Sequence, residues 1–260
     1  MDRVKDKVCI VTGAGSRGEG WGNGKAVAVL FAREGAKVVL NDRDPDAVAD
    51  TLRIIEEEGG TATTFVGDLT EASAAEGLTA HALATYGRVD VLHNNVGIEG
   101  AGTVVEMTEE LWDRVMTVNV KTMALASKYA IPAMIASGGG SIVNISSISA
   151  IRPRGLTPYS ASKGAVIALS QAMAIDHAAD GVRVNCIAPG PVFTPHVASN
   201  GMDDETRERR KNASPLKTEG TAWDIAYASL YFASDEARWV TGVMMPVDGG
   251  VTISSPPRGT

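Results

Sequence analysis

Tyr159 and Lys163 stand four residues apart in Tyr159-Ser160-Ala161-Ser162-Lys163, inside a stretch whose pattern predicts a helix over 157–179. On a helix that spacing sets both side chains on one face, one turn from each other. An ammonium beside a phenol favours the phenolate, so the pair predicts a tyrosine drawn down from its ordinary pKa of about 10 toward working pH. Such a tyrosine is a usable general acid or base. The same spacing is also common on plain helix surface, and the elements around the pair must decide between the two.

Those elements alternate. Short β-branched runs at 8–12, 37–41, 61–66, 89–93, 141–145, 183–188 and 243–247 read as strands. Between them lie helical patterns at 25–33, 45–58, 71–86, 108–137, 157–179 and 221–233. Pro45 suits a first helical turn, and Thr108-Glu109-Glu110 makes a capping start. Strands separated by helices in this way predict βαβ units and one α/β domain, a doubly wound parallel sheet of about seven strands covered on both faces. The domain is expected over residues 1–253, with an irregular tail over 254–260. There is no internal repeat.

The loop after the first strand runs Thr-Gly-Ala-Gly-Ser-Arg-Gly-Glu-Gly-Trp-Gly-Asn-Gly from Thr12 to Gly24. A glycine-rich turn from strand to helix lets backbone amides approach a pyrophosphate, whose charge the helix N-terminus meets. Asp42, at the end of the second strand, is placed to bind both hydroxyls of an adenosine ribose, which favours NAD over NADP. Arg43 beside it could accommodate a 2′-phosphate. In an open parallel sheet the ligand crevice lies at the carboxyl ends of the strands. That puts Asp68 and Leu69 near the adenine, and Asn95, Val96 and Gly97 near the ribose, with Asn94 bracing the loops.

Composition bounds the rest. With 260 residues, 44% apolar and 21% charged, the chain can bury a sizeable core. A net charge of −7 argues against a nucleic-acid surface, and the one basic cluster, Arg207 to Lys211, is interrupted by Glu208 and reads as a solvated helix. Cys9 and Cys186 each sit in an apolar run, as buried small hydrophobes of a reducing compartment and not as a disulfide or metal site. No run is long enough for a membrane helix and the start lacks a signal-peptide core, so the expected location is cytoplasmic.

Taken in order, these motifs resemble the short-chain dehydrogenases/reductases in their shorter single-domain, Rossmann-like form. The resemblance rests on Thr12-Gly13 with Gly22-Asn23-Gly24, Asp68, Asn94-Asn95-Val96-Gly97, Asn119, Ile142 to Ser147, Tyr159 to Lys163, Pro189-Gly190 and Val247-Asp248-Gly249-Gly250. It implies a catalytic tetrad of Asn119, Ser147, Tyr159 and Lys163. Tyr159 exchanges a proton with the substrate oxygen, Lys163 lowers the tyrosine's pKa and holds ribose hydroxyls, Ser147 polarises the substrate carbonyl, and Asn119 holds a relay water. It further implies that Pro189, Gly190, Val192 and Thr194 face the nicotinamide, that hydride moves on its B face, and that the protein is a homotetramer. Ser147, not its neighbour Ser146, occupies the family's catalytic position, and Ser149 lies two residues on.

The chain departs from the pattern in the glycine loop. Matching Gly22 and Gly24 to the family's glycines leaves Arg17-Gly18-Glu19-Gly20-Trp21 as an insertion; the alternative sets Gly18 and Gly20 at the phosphate. The first keeps the family's helix length. It makes Gly13, Gly15, Ser16, Arg17, Gly22, Asn23 and Gly24 the phosphate end, with Arg17 near a phosphate oxygen. Val96 replaces the usual alanine. Residues 193–216 are expected to form a substrate lid, with Phe193 and His196 as contacts and Pro153, Gly155 and Leu156 on the opposite wall. Arg152 and Arg154 are the candidates for binding a carboxylate. The expected activity is an NAD-dependent interconversion of a small-molecule secondary alcohol, cyclic or hydrophobic, and its ketone. The rivals are an NADPH-dependent carbonyl or 3-oxoacyl reductase, which Arg17 and Arg43 permit, and an inactive dinucleotide-binding regulatory or scaffold protein, against which the complete tetrad argues.

Overall fold

A computed structural model describes residues 2–16, 18–198 and 201–255, with His196 and Ala198 described by backbone alone. Arg17, the His196 side chain and the tail beyond residue 255 therefore lie outside the described residues. The chain runs β1 (Val8–Thr12), α1 (Asn23–Arg33), β2 (Lys37–Asp42), α2 (Pro45–Glu57), β3 (Thr61–Val66), α3 (Ala72–Tyr86), β4 (Val91–Asn94) and α4 (Glu109–Met116). It continues through a π-helical turn (Thr117–Lys121), α5 (Thr122–Ala136), β5 (Gly140–Ile145), α6 (Thr157–Asp176) and β6 (Val182–Pro189). The last part holds β7 (Val192–Phe193), α7 (Pro195–Ala198), α8 (Asp204–Ala213), β8 (Gly220–Thr221), α9 (Ala222–Ala233) and β9 (Met244–Val247).

Seven strands form one parallel sheet in the order β3-β2-β1-β4-β5-β6-β9. The connections wind outward in opposite directions from β1 and β4, so the crevice of a doubly wound sheet opens between the ends of these two strands. Register carries the ends into line: Thr12 pairs with Asn41, Asn94 with Asn144, and Ile145 with Ile187. β1 is buried along its whole length. α1 and α9 cover one face through residues such as Val27, Phe31, Ala226 and Leu230, while α3 and α5 cover the other through Leu78, Ala126 and Met134. Each large apolar side chain so buried contributes about 1.5–3 kcal/mol.

The predicted long helix over 108–137 is interrupted. Its middle widens into the π turn, which carries Asn119, and Thr122 Oγ1 donates to the Val118 carbonyl at 2.6 Å. Single π turns of this kind alter the direction of the side chains they carry. The section 193–216 also has more order than a loop: β7 pairs with β8, and α8 begins at an Asp203 cap whose side chain accepts from Thr206 N at 2.7 Å. Among the described residues no helix is long and apolar enough to cross a membrane, and no cluster of side chains could hold a metal ion.

Candidate active site

A cleft of about 630 Å³ opens along the carboxyl ends of β1, β2, β4, β5 and β6. Its nucleotide end is built by the glycine loop. α1 starts at Asn23, with Gly22 as an N-cap that offers no side chain and with no acidic residue in the first turn. Its first amides are therefore left without a capping side chain, the arrangement that suits an anion. Gly13 has φ of +62°, and a Cβ at Gly24 would run into the Gly13 carbonyl. Gly24 thus makes the close turn, and it lines the cleft with Gly22, whereas Gly18 and Gly20 do not line it. Gly15, Ser16, Gly22, Asn23 and Gly24 line the cleft, and the Ser16 hydroxyl and Asn23 amide oxygen are buried without a partner among the described residues. Uncapped amides, an idle buried hydroxyl and a backbone that excludes Cβ atoms fit the pyrophosphate of a dinucleotide.

Asp42 lines the next section. One carboxylate oxygen accepts from Gly15 N at 3.0 Å and the other from Asp44 N at 3.1 Å, which fixes the carboxylate at the loop. Arg43 also lines the cleft, as do Asp68 and Leu69. The Thr70 amide, 3.0 Å from Asp68 Oδ1, holds that carboxyl below its ordinary range, and the Arg43 charge adds to this. Asn41, absent from the sequence expectation, ties β2 to the β3 end by donating to the Phe65 and Gly67 carbonyls at 3.1 and 3.2 Å. Asn95 donates to Gly13 O at 3.0 Å, and its own amide nitrogen donates to Thr12 Oγ1 at 3.1 Å. It shapes the glycine loop from below. Asn94 braces the interior and not the loops, donating to Asn144 Oδ1 on β5 at 2.9 Å and to Ser127 Oγ on α5 at 3.3 Å.

The reacting end gathers Ser147, Tyr159 and Lys163 with Val96, Gly97, Pro189, Gly190, Val192 and Thr194. Ser147 ends the β5 run, and its Oγ accepts from Ser149 N at 3.1 Å. Its hydroxyl also lies beside the Tyr159 phenol and lowers the phenol's pKa. Lys163 is 3% exposed, donates to the Ile145 carbonyl at 2.9 Å and sits 5.7 Å from the centre of the Tyr159 ring. Burial pushes the ammonium down to about 8.

Burial also raises the Tyr159 phenol above its ordinary value. The Ser147 hydroxyl and Arg154 pull it back, and Glu99 adds to the rise. The sequence expectation of a tyrosine lowered by Lys163 is therefore reversed in the protein alone: burial of the phenol sets the direction, and Lys163, 5.7 Å from the ring centre and itself pushed down to about 8, is not among the groups that shift it.

Asn119 does not line the cleft. It is fully buried, its Nδ2 donating to Ile98 O and Ser162 Oγ, both at 2.9 Å, and its Oδ1 accepting from Ile98 N at 2.8 Å. Ser162 Oγ in turn donates to the Tyr159 carbonyl at 2.7 Å. Both amide protons are engaged, so this side chain clamps the loop at Ile98 to the turn of α6 that carries Tyr159.

Of the expected substrate contacts, Ser147 and Ser149 line the cleft, and Gly155 and Phe193 do not. Gly155 turns outward at φ +60°, leaving Leu156 to form that wall. The Phe193 ring lies under the Arg207 guanidinium, 4.0 Å from its carbon, and packs on α8 instead. Arg152 is spent on the C-terminal segment, donating to the Val251 carbonyl and to Ser254 Oγ. Sequence reasoning missed Arg210 and Glu99, which line the substrate end with Arg154. No sequence signal singled out Arg210: within α8 only Thr206 and Arg210 are partly shielded from solvent, which the run of charges does not display.

A parallel sheet with a dinucleotide-type loop and a Tyr/Lys/Ser cluster at its crevice defines an oxidoreductase-type site. The comparisons with known proteins agree. A family model described as enoyl-(acyl carrier protein) reductase matches residues 18–252. An uncharacterized oxidoreductase of Thermotoga maritima is 39% identical over 252 residues, spanning 95% of this chain and 97% of its own. The crystal structure of a short-chain dehydrogenase/reductase from Burkholderia xenovorans superposes with a TM-score of 0.94 at 40% identity, covering 98% of this chain and all of the other. A 7α-hydroxysteroid dehydrogenase, solved with NADH and 7-oxo glycochenodeoxycholic acid, gives a TM-score of 0.89 at 33% identity, with 95% of each chain covered. The chain belongs to the short-chain dehydrogenase/reductase family, whose members bind a nicotinamide dinucleotide.

Proposed function

We propose that the protein is an NAD-dependent alcohol dehydrogenase and ketone reductase acting on a small-molecule secondary alcohol, and that it works in the cytoplasm as a homotetramer. The observation that carries the reaction is the gathering of Ser147, Tyr159 and Lys163 in one cleft, with the Ser147 hydroxyl beside the Tyr159 phenol and the Lys163 ammonium buried beside the same ring. Pyrophosphate binding falls to the N-terminus of α1 with Ser16 and Asn23, adenosine ribose binding to Asp42, and the adenine edge to Asp68. A nicotinamide dinucleotide bound there supplies the hydride acceptor in one direction and the hydride donor in the other.

The residues divide the remaining work. In oxidation Tyr159, as phenolate, takes the proton of the substrate hydroxyl, and in reduction it returns one to the carbonyl oxygen. Ser147 donates to that oxygen while negative charge develops on it. Lys163 spends one N–H on the Ile145 carbonyl at 2.9 Å and lines the cleft beside Gly97, where its other N–H groups would hold the ribose hydroxyls and its charge would stabilise the phenolate. Asn119 positions Tyr159 through Ser162. Asp42 favours NAD because its fixed carboxylate repels a 2′-phosphate.

Initial rates on a panel of secondary alcohols, read as NADH or NADPH formation, test the reading. Wild-type protein should form NADH, and Tyr159→Phe should lose it at unchanged fold. A strong preference for NADP would overturn the Asp42 argument, and tight NAD binding with no turnover across the panel would favour a non-catalytic binder.

A further inference from the structure

Two guanidinium groups from separate elements converge on the substrate end of the cleft. Arg154, in the turn before α6, and Arg210, on α8, both line it near Tyr159 and Ser149. They lie close enough for the Arg154 charge to act on Arg210 and on the Tyr159 phenol. Arg154 makes no hydrogen bond or ion pair with any described residue. Arg210 gives one Nη2 bond to the Val192 carbonyl at 3.1 Å, and its Nε is buried with no partner among the described residues. The acidic groups facing them are Glu99, on the exposed rim, and Glu219, whose Oε2 accepts from Arg207 at 2.8 Å and whose Oε1 is buried without a partner among the described residues.

Arg154 is exposed and its donors reach water. The buried Arg210 Nε left idle is costly, however, and an anion between the two like charges relieves both that cost and their repulsion. A guanidinium presents its protons in a planar fork that matches a carboxylate. Resting on the dehydrogenase reading, we propose that the substrate is a carboxylate-bearing secondary alcohol, a hydroxy acid with its oxo acid as product, held by its carboxylate between Arg154 and Arg210. Arg152 and Arg154 are the candidates for a carboxylate in the sequence; Arg210 here takes the place of Arg152, which is engaged with Val251 and Ser254. It also assigns α8 a task. Arg210 is tied to β7 through Val192, which itself lines the cleft, so a carboxylate bridging Arg210 to Arg154 fastens the 193–216 segment against the wall that precedes α6.

The test is binding, so that it stands apart from turnover. The protein–NADH complex is titrated with acetate, butyrate, cyclohexanecarboxylate and benzoate, each against its own primary amide, following NADH fluorescence. At least one carboxylate should bind roughly 10- to 100-fold more tightly than its amide. Arg154→Gln and Arg210→Gln should each remove most of that preference, and Arg210→Lys should restore only part of it, with NADH affinity and melting temperature confirming that each variant is folded. A set in which no carboxylate outbinds its amide overturns the proposal, as does a preference that survives the double Gln variant. Retained carboxylate preference in a protein with no Tyr159-dependent turnover counts against the reaction and leaves the clamp standing.

Discussion

Ser146 and Ser147 are neighbours just beyond β5, yet their hydroxyls have different tasks: Ser146 Oγ donates to the Lys163 carbonyl at 2.7 Å, whereas Ser147 Oγ accepts from Ser149 N at 3.1 Å and lies beside the Tyr159 phenol, whose pKa it lowers. Alternation along an extended chain produces this division. Ser146→Ala should therefore cost about 1 kcal/mol of stability, the worth of a buried hydrogen bond, with a comparatively small change in kcat. Ser147→Ala should leave the melting temperature nearly unchanged and lower kcat by roughly 100-fold or more, as loss of an oxyanion donor does. Thermal unfolding and steady-state kinetics on the two variants check the pair; equal kcat losses would show that the division is not functional.

The alternation that separates these serines was readable from the sequence, as were the strand order of motifs, the glycine loop and the helix carrying Tyr159. These depend on local periodicity and on where strands end, which a linear chain displays. The interruption of the long helix at Asn119 was not readable, because a π turn follows from the bonds its side chain makes to Ile98 and Ser162, distant in sequence. Arg210 was hidden for a similar reason: in a run of charges, only the packing of α8 shows which one turns inward. The raised Tyr159 phenol escaped because i,i+4 spacing reports proximity to Lys163 and says nothing of burial.

The inserted loop is anchored at its far end. The Trp21 ring centre lies 4.7 Å from that of Trp223 on α9, tilted by 55°, and the Lys25 ammonium stands 5.3 Å from the Trp21 ring. A Cβ at Gly20 would be 3.3 Å from Pro195, at the start of α7, so the loop also adjoins the segment over the substrate end. Trp21→Ala should destabilise the protein by roughly 1–3 kcal/mol and raise KM for the dinucleotide more than it lowers kcat. Trp223→Ala should act alike, and the double variant should fall short of the sum because the two rings share one contact. Additive losses in urea unfolding would rule out the ring pair as the anchor.

His93 is buried inside β4, 3.0 Å from Ser229 Oγ, and burial pushes its pKa down to about 3. Between that value and its unfolded pKa of about 6.5, the unfolded chain holds a proton that the native protein refuses. The stability linked to this group is fully present above that unfolded value and is lost as pH falls through the window, at about 1.4 kcal/mol per pH unit. His93→Gln should flatten the fall measured by urea unfolding between neutral pH and the acid limit, whatever it does to stability at pH 7. An unchanged slope would mean that carboxylates alone, such as Asp50 and Asp68, which are also lowered in the native state, set the acid limit.

Gly97 connects the cofactor end of the cleft to the buried polar cluster. Its φ lies outside the left-handed region, so alanine there carries no backbone strain. The added methyl, however, would stand 3.2 Å from Lys163 Nζ and 3.4 Å from Asn119 Oδ1. Neither neighbour can retreat freely: Nζ is held by the Ile145 carbonyl and the Asn119 amide by Ile98 and Ser162. The ammonium is the more mobile of the two, so it should shift away from the Tyr159 ring and from the ribose side at once. Gly97→Ala is thus expected to lower kcat by roughly 10-fold or more, since misplacement of a reacting group by a fraction of an ångström is costly, and to raise KM for NAD, while the melting temperature moves little. In the oxidation direction, where Tyr159 must be phenolate, the acid limb of the kcat profile should move upward in pH as the phenolate loses a cation beside its ring. A variant with wild-type kcat and an unmoved limb would mean that Lys163 tolerates the methyl and that its present position is not what sets the tyrosine's reactivity.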